Sequence, residues 1–337
     1  MKTQVDIEHE ARIHRALVHL ANSINSSQYG VMADMSLLIE ATDDLPLTHI
    51  DKWGSYLQEE FEWAMYASSP RKIARYGKWL KPREWLTWLD LGSFDGYKRE
   101  KTLRTLSGAA PNAFFFALAV RRLNDWVPEV RAAAREVLPE MARHTPPQHI
   151  VAGLCGLLSH WHSWGRISDK ERQIVWEFLA DKNVISTFKS QLIQSSTGPL
   201  STLFVQVGRT SYLDEYIIDI AETAIQPTLR AKAYRCLFER RVVWQAGTEW
   251  KWTDKYNGER KLMPVLSERS LTVHLDRLML IKKAGDDSSS LVRRVAAEFL
   301  IRELDNLGDR ALPFAEQFAA DVSRTVSERG QFALRSM

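Results

Sequence analysis

The stretch that decides the fold is PNAFFFALAVRRLNDWVPEVRAAAREVL, residues 111–138. Residues 111–123 are apolar nearly all round, which predicts a buried helix, and Asn124 and Asp125 follow as a turn. Residues 128–138 begin with a proline and carry apolar side chains at helical spacing, which predicts a second helix with one buried face. That face consists of Val130, Ala133, Ala134, Val137 and Leu138. Two short helices cannot cover their own apolar surfaces, so we expect further helix pairs to pack against this one.

A similar second helix recurs along the chain. It is marked by an arginine and by small and apolar residues after it. The counterparts of Arg131 are Arg99, Arg230 and Arg294, and Val326 takes the arginine's place in the last copy. Successive positions are separated by 32, 99, 64 and 32 residues, close to multiples of 32 to 33. A drifting period with insertions is typical of helical-hairpin arrays, so the sequence predicts an all-α protein, an α-solenoid of about seven or eight antiparallel helix pairs.

The pattern resembles the HEAT repeat, whose second helix usually opens with an acidic turn, a Val-Arg pair and then small residues. Residues 111–141 and 276–304 carry this motif best. At the level of architecture the resemblance extends over about residues 80–335. It implies a helical solenoid with a surface for binding other molecules, and it identifies a fold far better than a function.

The N-terminal part of the chain is less regular. VDIEHEARIHRALVHLANSI and HIDKWGSYLQEEFEWAMYA both read as helices, but neither contains the Val-Arg pair. The end of a repeat array needs one polar outer face, so we interpret residues 1–78 as a helical cap. The HEAT-like array then extends over residues 79–337, with an insertion at residues 244–266.

The insertion, WQAGTEWKWTDKYNGERKLMPVL, breaks the helical rhythm. Two tryptophans alternate with polar neighbours before Asn257-Gly258, a strong two-residue turn signal, so we predict a β-hairpin near 248–265 with strands near 248–255 and 259–265. An isolated hairpin is marginal in water, so it either packs on the helices, with its tryptophans filling a groove, or projects and contacts a partner. In the second case the partner-binding residues are Trp250, Lys251, Trp252, Tyr256 and Arg260.

Composition narrows the class of protein. The chain has 337 residues, 45% of them hydrophobic and 26% charged, which indicates a globular protein. The net charge of +3 does not demand a nucleic-acid partner. Cys155 and Cys236 lie in apolar helical patterns, so we expect buried free thiols. We find no secretory signal and no stretch of about 18 apolar residues, and therefore expect a cytoplasmic protein without a membrane segment.

The chain carries none of the common catalytic motifs, such as GxxxxGK[ST], GxGxxG, HExxH or GxSxG. A group of four histidines could suggest a metal, but zinc needs three or four ligands in tetrahedral geometry, and neither cysteine has ligand spacing to a partner. The four are His144, His149, His160 and His162. We therefore interpret them as helix-end residues and predict no metal, no cofactor and no enzymatic activity.

The recurring arginines allow two interpretations. In one, they bridge to the acidic turn of the same or the next helix pair: Asp125 with Arg131, and Asp286 or Asp287 with Arg294. In the other, basic side chains line a groove that holds a phosphate backbone. That groove would contain Arg131, Arg135, Arg230, Lys232, Arg235 and Arg294. Bacterial alkyl-purine DNA glycosylases also have HEAT-like repeats, but the Trp and Asp residues around their lesion do not match positions here, so glycosylase activity is not expected.

These observations predict a non-enzymatic scaffold or adaptor that presents a concave helical groove to a protein partner, as a subunit of a multi-protein bacterial complex. The inserted hairpin would supply a second contact, with aromatic and arginine side chains as anchors. The alternative is a nucleic-acid-binding HEAT-like protein that holds the phosphate backbone in the basic groove.

Overall fold

The computed structural model describes residues 4–26, 34–68, 86–273 and 276–337. Within these ranges the chain is mostly helical and contains one two-stranded antiparallel sheet, which confirms the predicted combination of helices and a hairpin. The chain divides into two compact units, Met1–Val184 and Ile185–Met337. The division predicted between the cap and the array, at residue 78, falls outside the described residues.

The first unit consists mostly of α-helices in its described residues. Its helices are α1 (Gln4–Ser26), α2 (Ser36–Thr42), α3 (Ile50–Ser68), α4 (Gly96–Thr105), α5 (Ala113–Arg121), α6 (Pro128–His144), α7 (Pro147–Leu158) and α8 (Asp169–Ala180). Helix α1 packs against α3, α5 packs against α7, and α6 contacts both α4 and α8. Thus α4, α6 and α8 lie side by side in the order in which they occur along the chain.

The decisive stretch forms the two helices that its pattern predicts. Helix α5 is buried at every residue from 113 to 120, and the Asn112 side chain caps it by accepting a hydrogen bond from the Phe115 N–H. Helix α6 begins at Pro128, but it runs to His144 and not to the predicted end at 138. It continues through Pro139 because Met141 extends the buried face by a further turn.

The second unit repeats the pairing of short helices. Its helices are α9 (Lys182–Gln194), which begins at the division, α10 (Leu200–Val207), α11 (Ile217–Thr223), α12 (Pro227–Glu239), α13 (Arg277–Gly285), α14 (Ser290–Arg302), α15 (Leu304–Leu307), α16 (Leu312–Ala319) and α17 (Arg324–Ser336). The consecutive pairs α11–α12, α13–α14 and α16–α17 pack together. The second members of these pairs also touch in chain order, α12 against α14 and α14 against α17.

The sheet lies between α12 and α13 in the chain. Strand β1 (Arg241–Asp254) pairs with β2 (Glu259–Ser270), so both strands are longer than predicted. The connection is a four-residue loop, not the two-residue turn that Asn257-Gly258 suggested. Its shape is set by the Asp254 carboxylate, which accepts the N–H groups of Tyr256 and Asn257, and by Gly258, whose φ of +71° favours glycine.

Candidate interaction surface on the β-hairpin

The base of the hairpin is fixed to the second unit. Val242 is fully buried, and the Arg269 guanidinium donates hydrogen bonds to the Gly208 carbonyl (2.7 Å) and to the carboxylate of Asp214, which is itself buried. Helix α12 ends in a left-handed residue, Arg240 (φ 54°), whose carbonyl accepts the Leu271 N–H (2.9 Å). Both ends of the hairpin therefore leave the helical body at one anchored place.

The distal hairpin, residues 247–264, is exposed on both faces. Every residue in this range except Asp254 is exposed. The tryptophans therefore do not fill a helix groove in the described part of the chain, and that interpretation of the insertion is wrong. An exposed hairpin of this length carries apolar surface that a soluble domain normally covers.

One face of the distal hairpin is aromatic. Trp250 and Trp252 are two residues apart on β1, so their side chains share a face, and they lie opposite Leu262 and Arg260 on β2. The Arg260 guanidinium carbon lies 5.6 Å from the Trp250 ring centroid and 5.2 Å from that of Trp252, within cation–π range of both. Even so, Trp250 remains 62% exposed and Trp252 52% exposed. This aromatic face is held in a defined arrangement while it stays accessible.

The opposite face and the tip carry the other predicted residues. Lys251 lies opposite Lys261 on the second face and pairs with Glu249 at 2.8 Å. Tyr256 stands at the tip and is 97% exposed. The predicted partner-binding residues are therefore divided between two faces, because strand alternation places Arg260 with the tryptophans and the two lysines on the reverse side.

Leu262 completes the aromatic face, although it is not among the predicted partner-binding residues. Its pairing with Trp250 follows from a register that neither strand reveals alone, because irregularities at Gln245/Gly247 and Trp252/Asp254 shift the alternation. A signal was nevertheless present, since Leu262 is an apolar residue that directly follows the charged residues 259–261 in a predicted strand.

Two of the four recurring arginines, Arg99 and Arg230, form a bridge between neighbouring helix pairs. The Arg99 Nη1 group donates to the Ser93 carbonyl (2.7 Å), while Nε and Nη2 donate to the two carboxylate oxygens of Asp125 (2.8 and 2.6 Å). Arg99 lies four residues after the N-cap of α4, and Asp125 lies two residues before the N-cap of α6. We call this arrangement an Asp–Arg rung.

Two further rungs occur in the second unit with the same geometry. Arg230 binds Asp287 through Nε and Nη2 (2.8 Å each), and Arg293 binds Asp321 in the same way (2.6 and 3.0 Å). The expected pairing of Asp286 or Asp287 with Arg294 is wrong. The Asp287 carboxylate binds Arg230 of the preceding helix pair, and Arg293, not Arg294, binds an aspartate in the turn of the following pair. Arg131 donates to the Asp125 backbone carbonyl (2.7 Å), not to its carboxylate.

Burial strengthens the first rung. The Asp125 side chain is fully buried and also accepts a hydrogen bond from Arg122 Nη1 (2.9 Å). Burial by itself would raise the pKa of Asp125, but the hydrogen bonds from Arg99 and from the Val127 N–H outweigh it, and the pKa lies below its usual value. Burial also lowers the pKa of Arg122 to about 10, against the opposing effect of Asp125.

Most of the side chains assigned to the basic groove are engaged by acids. Besides Arg230, the ion pairs are Arg135 with Glu171, Arg235 with Glu298 and Glu239, and Arg294 with Glu298. Lys232 is half-buried and makes no ion pair within the described ranges. Arg131 and Arg135 belong to the first compact unit and the other four to the second.

Among the described residues, no three His, Cys, Asp or Glu side chains come together in a way that could hold a metal ion. His144 bonds to Glu140 on its own helix (2.9 Å). Both cysteines are free, as predicted, although Cys155 is only half-buried by residue exposure. Burial of the sulfur atoms raises the pKa of Cys155 to about 12 and that of Cys236 to about 11, so both thiols stay protonated at neutral pH.

Comparison with known proteins does not assign the chain to a group. No model of a protein family matches it, and no curated protein is significantly similar to it in sequence. In the part of the chain that the structure describes, no helix combines the length and the apolar character needed to cross a bilayer.

Proposed function

We propose that this protein is a non-enzymatic interaction scaffold whose distal hairpin docks a protein partner through its aromatic face. The observation that carries the proposal is the exposure of Trp250 and Trp252 on a hairpin that is anchored at its base. Exposed tryptophan beside arginine is the composition of binding hot spots, where few large side chains supply most of the free energy. Because Arg260 already lies over both rings, little side-chain entropy remains to be lost on binding.

We further infer that the helical body is a HEAT-like α-solenoid. The inference is supported by the helix pairs whose second members touch in chain order within each unit, and by the Asp–Arg rungs that join one pair to the next. A rung spans 26 residues at Arg99 and 28 at Arg293, as expected when consecutive pairs stack. Such an array is a stiff support from which the hairpin projects.

The proposal is tested by substituting both tryptophans. The Trp250→Ser/Trp252→Ser variant should lose a partner that wild-type protein captures from extract of its own cells, with affinity for the identified partner reduced at least about 100-fold, because two hot-spot side chains are removed. Isothermal titration with the purified partner measures the change. The matched control is Trp63→Ser on α3, where the wild-type side chain is 54% exposed, and this variant should bind like wild type.

Equal loss in both variants would show that exposed tryptophan contributes only non-specific adhesion, and full binding by the double variant would place the partner elsewhere. Since Trp250 and Trp252 pack on no described helix, circular dichroism should report the same melting temperature for the double variant as for wild type.

Nucleic-acid binding remains the alternative proposal, and it has less support. Four of the six basic groove residues pair with carboxylates, which would have to be displaced or neutralised before phosphates could bind. The aromatic face could stack unpaired bases, as single-strand binders do. If the captured partner proves to be RNA or DNA, and its binding weakens steeply as salt rises, the alternative replaces the protein partner.

A further inference from the structure

The series of Asp–Arg rungs is interrupted at one place in the first unit. By position, the partner of Arg131 should lie two residues before the N-cap of α8, since Arg131 lies four residues after the N-cap of α6. That N-cap is Ser168, so the partner position is Arg166. The same position holds an aspartate in the three complete rungs, namely Asp125, Asp287 and Asp321. Two arginines therefore occupy a rung that elsewhere pairs an arginine with an acid.

Arg131 makes the backbone hydrogen bond that rung arginines form within their own helix pair. Its Nη1 group donates to the Asp125 carbonyl at 2.7 Å, as the other rung arginines do to their own turns. No acceptor among the described residues lies at its Nε or Nη2 atoms, the two that grip a carboxylate in complete rungs. The turn that holds Arg166 is nevertheless close, because the Arg166 N–H donates to Asn124 Oδ1 at 2.9 Å.

Nearby acids are already committed to other groups. Asp125 is shared by Arg99 and Arg122, and Glu171 binds Arg135 and the Ser168 N–H. Arg166 is exposed and Arg131 half-buried, so both are within reach of a ligand. The two arginines of the interrupted rung thus have no carboxylate partner in the described part of the chain.

An exposed aromatic side chain lies beside this charge. Trp126 directly follows Asp125 in the turn, is 65% exposed, and has its ring centroid 5.6 Å from the Arg99 guanidinium carbon. The ring supplies an apolar surface next to the unfilled guanidinium fork. A ligand that combines a carboxylate with an apolar neighbour would match both features.

We propose that Arg131 and Arg166 bind the carboxylate of an Asp or Glu side chain from a protein partner, with an adjacent apolar residue packed on Trp126. A carboxylate is preferred over a phosphate because the same guanidinium fork holds an aspartate in all three complete rungs. This acidic-peptide site belongs to the first unit and goes beyond the hairpin surface, so either site can fail in a test without the other.

Peptide selection on the intact chain tests the site. A random peptide library displayed on phage is first depleted on the Arg131→Gln/Arg166→Gln variant and then selected on wild type. The recovered peptides should contain an acidic residue, and their synthetic copies should bind the double variant at least about 10-fold more weakly, as lost charge-assisted hydrogen bonds imply. The control is Arg143→Gln on the same helix, where the wild-type side chain is 74% exposed, and this variant should bind as wild type does.

Recovery of no peptides, or of peptides without acids, would overturn the proposal. Displacement of the bound peptide by inorganic phosphate at much lower concentration than by acetate would also overturn it, in favour of a phosphate site.

A second measurement tests whether Arg131 lacks a carboxylate partner at position 166. Arg166→Asp should complete it, raise the melting temperature by about 2–4 °C, and abolish binding of the selected peptides. In the Arg131→Gln background the same substitution should give no rise, because the fork that grips the new carboxylate is gone. An equal rise in both backgrounds, or none in either, would show that Arg131 does not lie across from position 166.

Discussion

Replacing Asp125 with alanine should lower the free energy of unfolding of the first unit by about 3–5 kcal/mol. The substitution leaves the guanidinium groups of Arg99 and Arg122 without their carboxylate, and the Arg99 side chain is only 3% exposed. Burying an uncompensated charge costs far more than an ion pair contributes at the surface. Urea unfolding followed by circular dichroism measures the change, and hydrogen exchange should show it first in α4 and α6.

The matched control for that experiment is Asp169→Ala. The Asp169 side chain is 97% exposed and pairs with Arg172 on the same helix, so its loss should change the free energy of unfolding by less than about 0.5 kcal/mol. If both variants were equally stable, the rung would be a surface contact and would not join helix pairs.

The second large effect is expected at Gly330 in α17. A Cβ atom at this position would overlap the backbone of Phe318 and Ala319 and lie 2.7 Å from the Ala319 Cα. Because backbone cannot rotate away as a side chain can, Gly330→Ala should force α16 and α17 apart and lower the free energy of unfolding by about 2–3 kcal/mol. Denaturant unfolding gives the value, and hydrogen exchange should locate the loss in the last two helices.

Gly165→Ala serves as the control for this substitution, because a Cβ atom there would meet nothing within 4 Å. Its stability should stay close to that of wild type. Unchanged stability of Gly330→Ala would mean that α16 and α17 can separate at little cost, and would argue against tight stacking of the last pair.

The helices were predictable because each pair buries a continuous apolar face. Residues 113–120 and the small residues of α6 leave no other way to remove their surface from water. Ser168 and Glu171, which are three residues apart before an apolar run, form a capping box at the start of α8. Helix ends were harder to place, since Pro139 reads as a stop and the buried Met141 beyond it outweighs the one lost hydrogen bond.

The rungs could not be predicted because their partners are distant in sequence. Asp125 lies six residues before Arg131, which made a local pair attractive, yet the carboxylate binds Arg99 from 26 residues away. Whether Arg293 or Arg294 binds the next aspartate depends on which of the two faces the following turn, and two adjacent arginines in a sequence do not reveal this. Only the packed turns show which guanidinium faces the next acid.

The presence of a hairpin was predictable, but two details of the prediction were wrong. Alternating tryptophans and an Asn-Gly pair identified the strands. The start of β1 at Arg241 was not apparent, because the apolar residues 242–244 follow α12 directly and could have belonged to the helix or to the strand. The exposure of the hairpin could not be predicted either, because the sequence does not distinguish a tryptophan that fills a groove from one that is exposed for binding a partner. The outcome depends on whether a helix packs against the hairpin, and no described helix covers residues 247–264.

The docking role of the aromatic face is tested most directly by photo-crosslinking from neighbouring positions. Benzoylphenylalanine placed at Leu262 lies on the aromatic face, whereas at Lys261 it lies on the opposite face of the same strand. We predict that a partner protein is captured from position 262 and at most weakly from position 261. Equal capture from both positions, or capture from 261 alone, would contradict the assignment of the aromatic face as the docking surface.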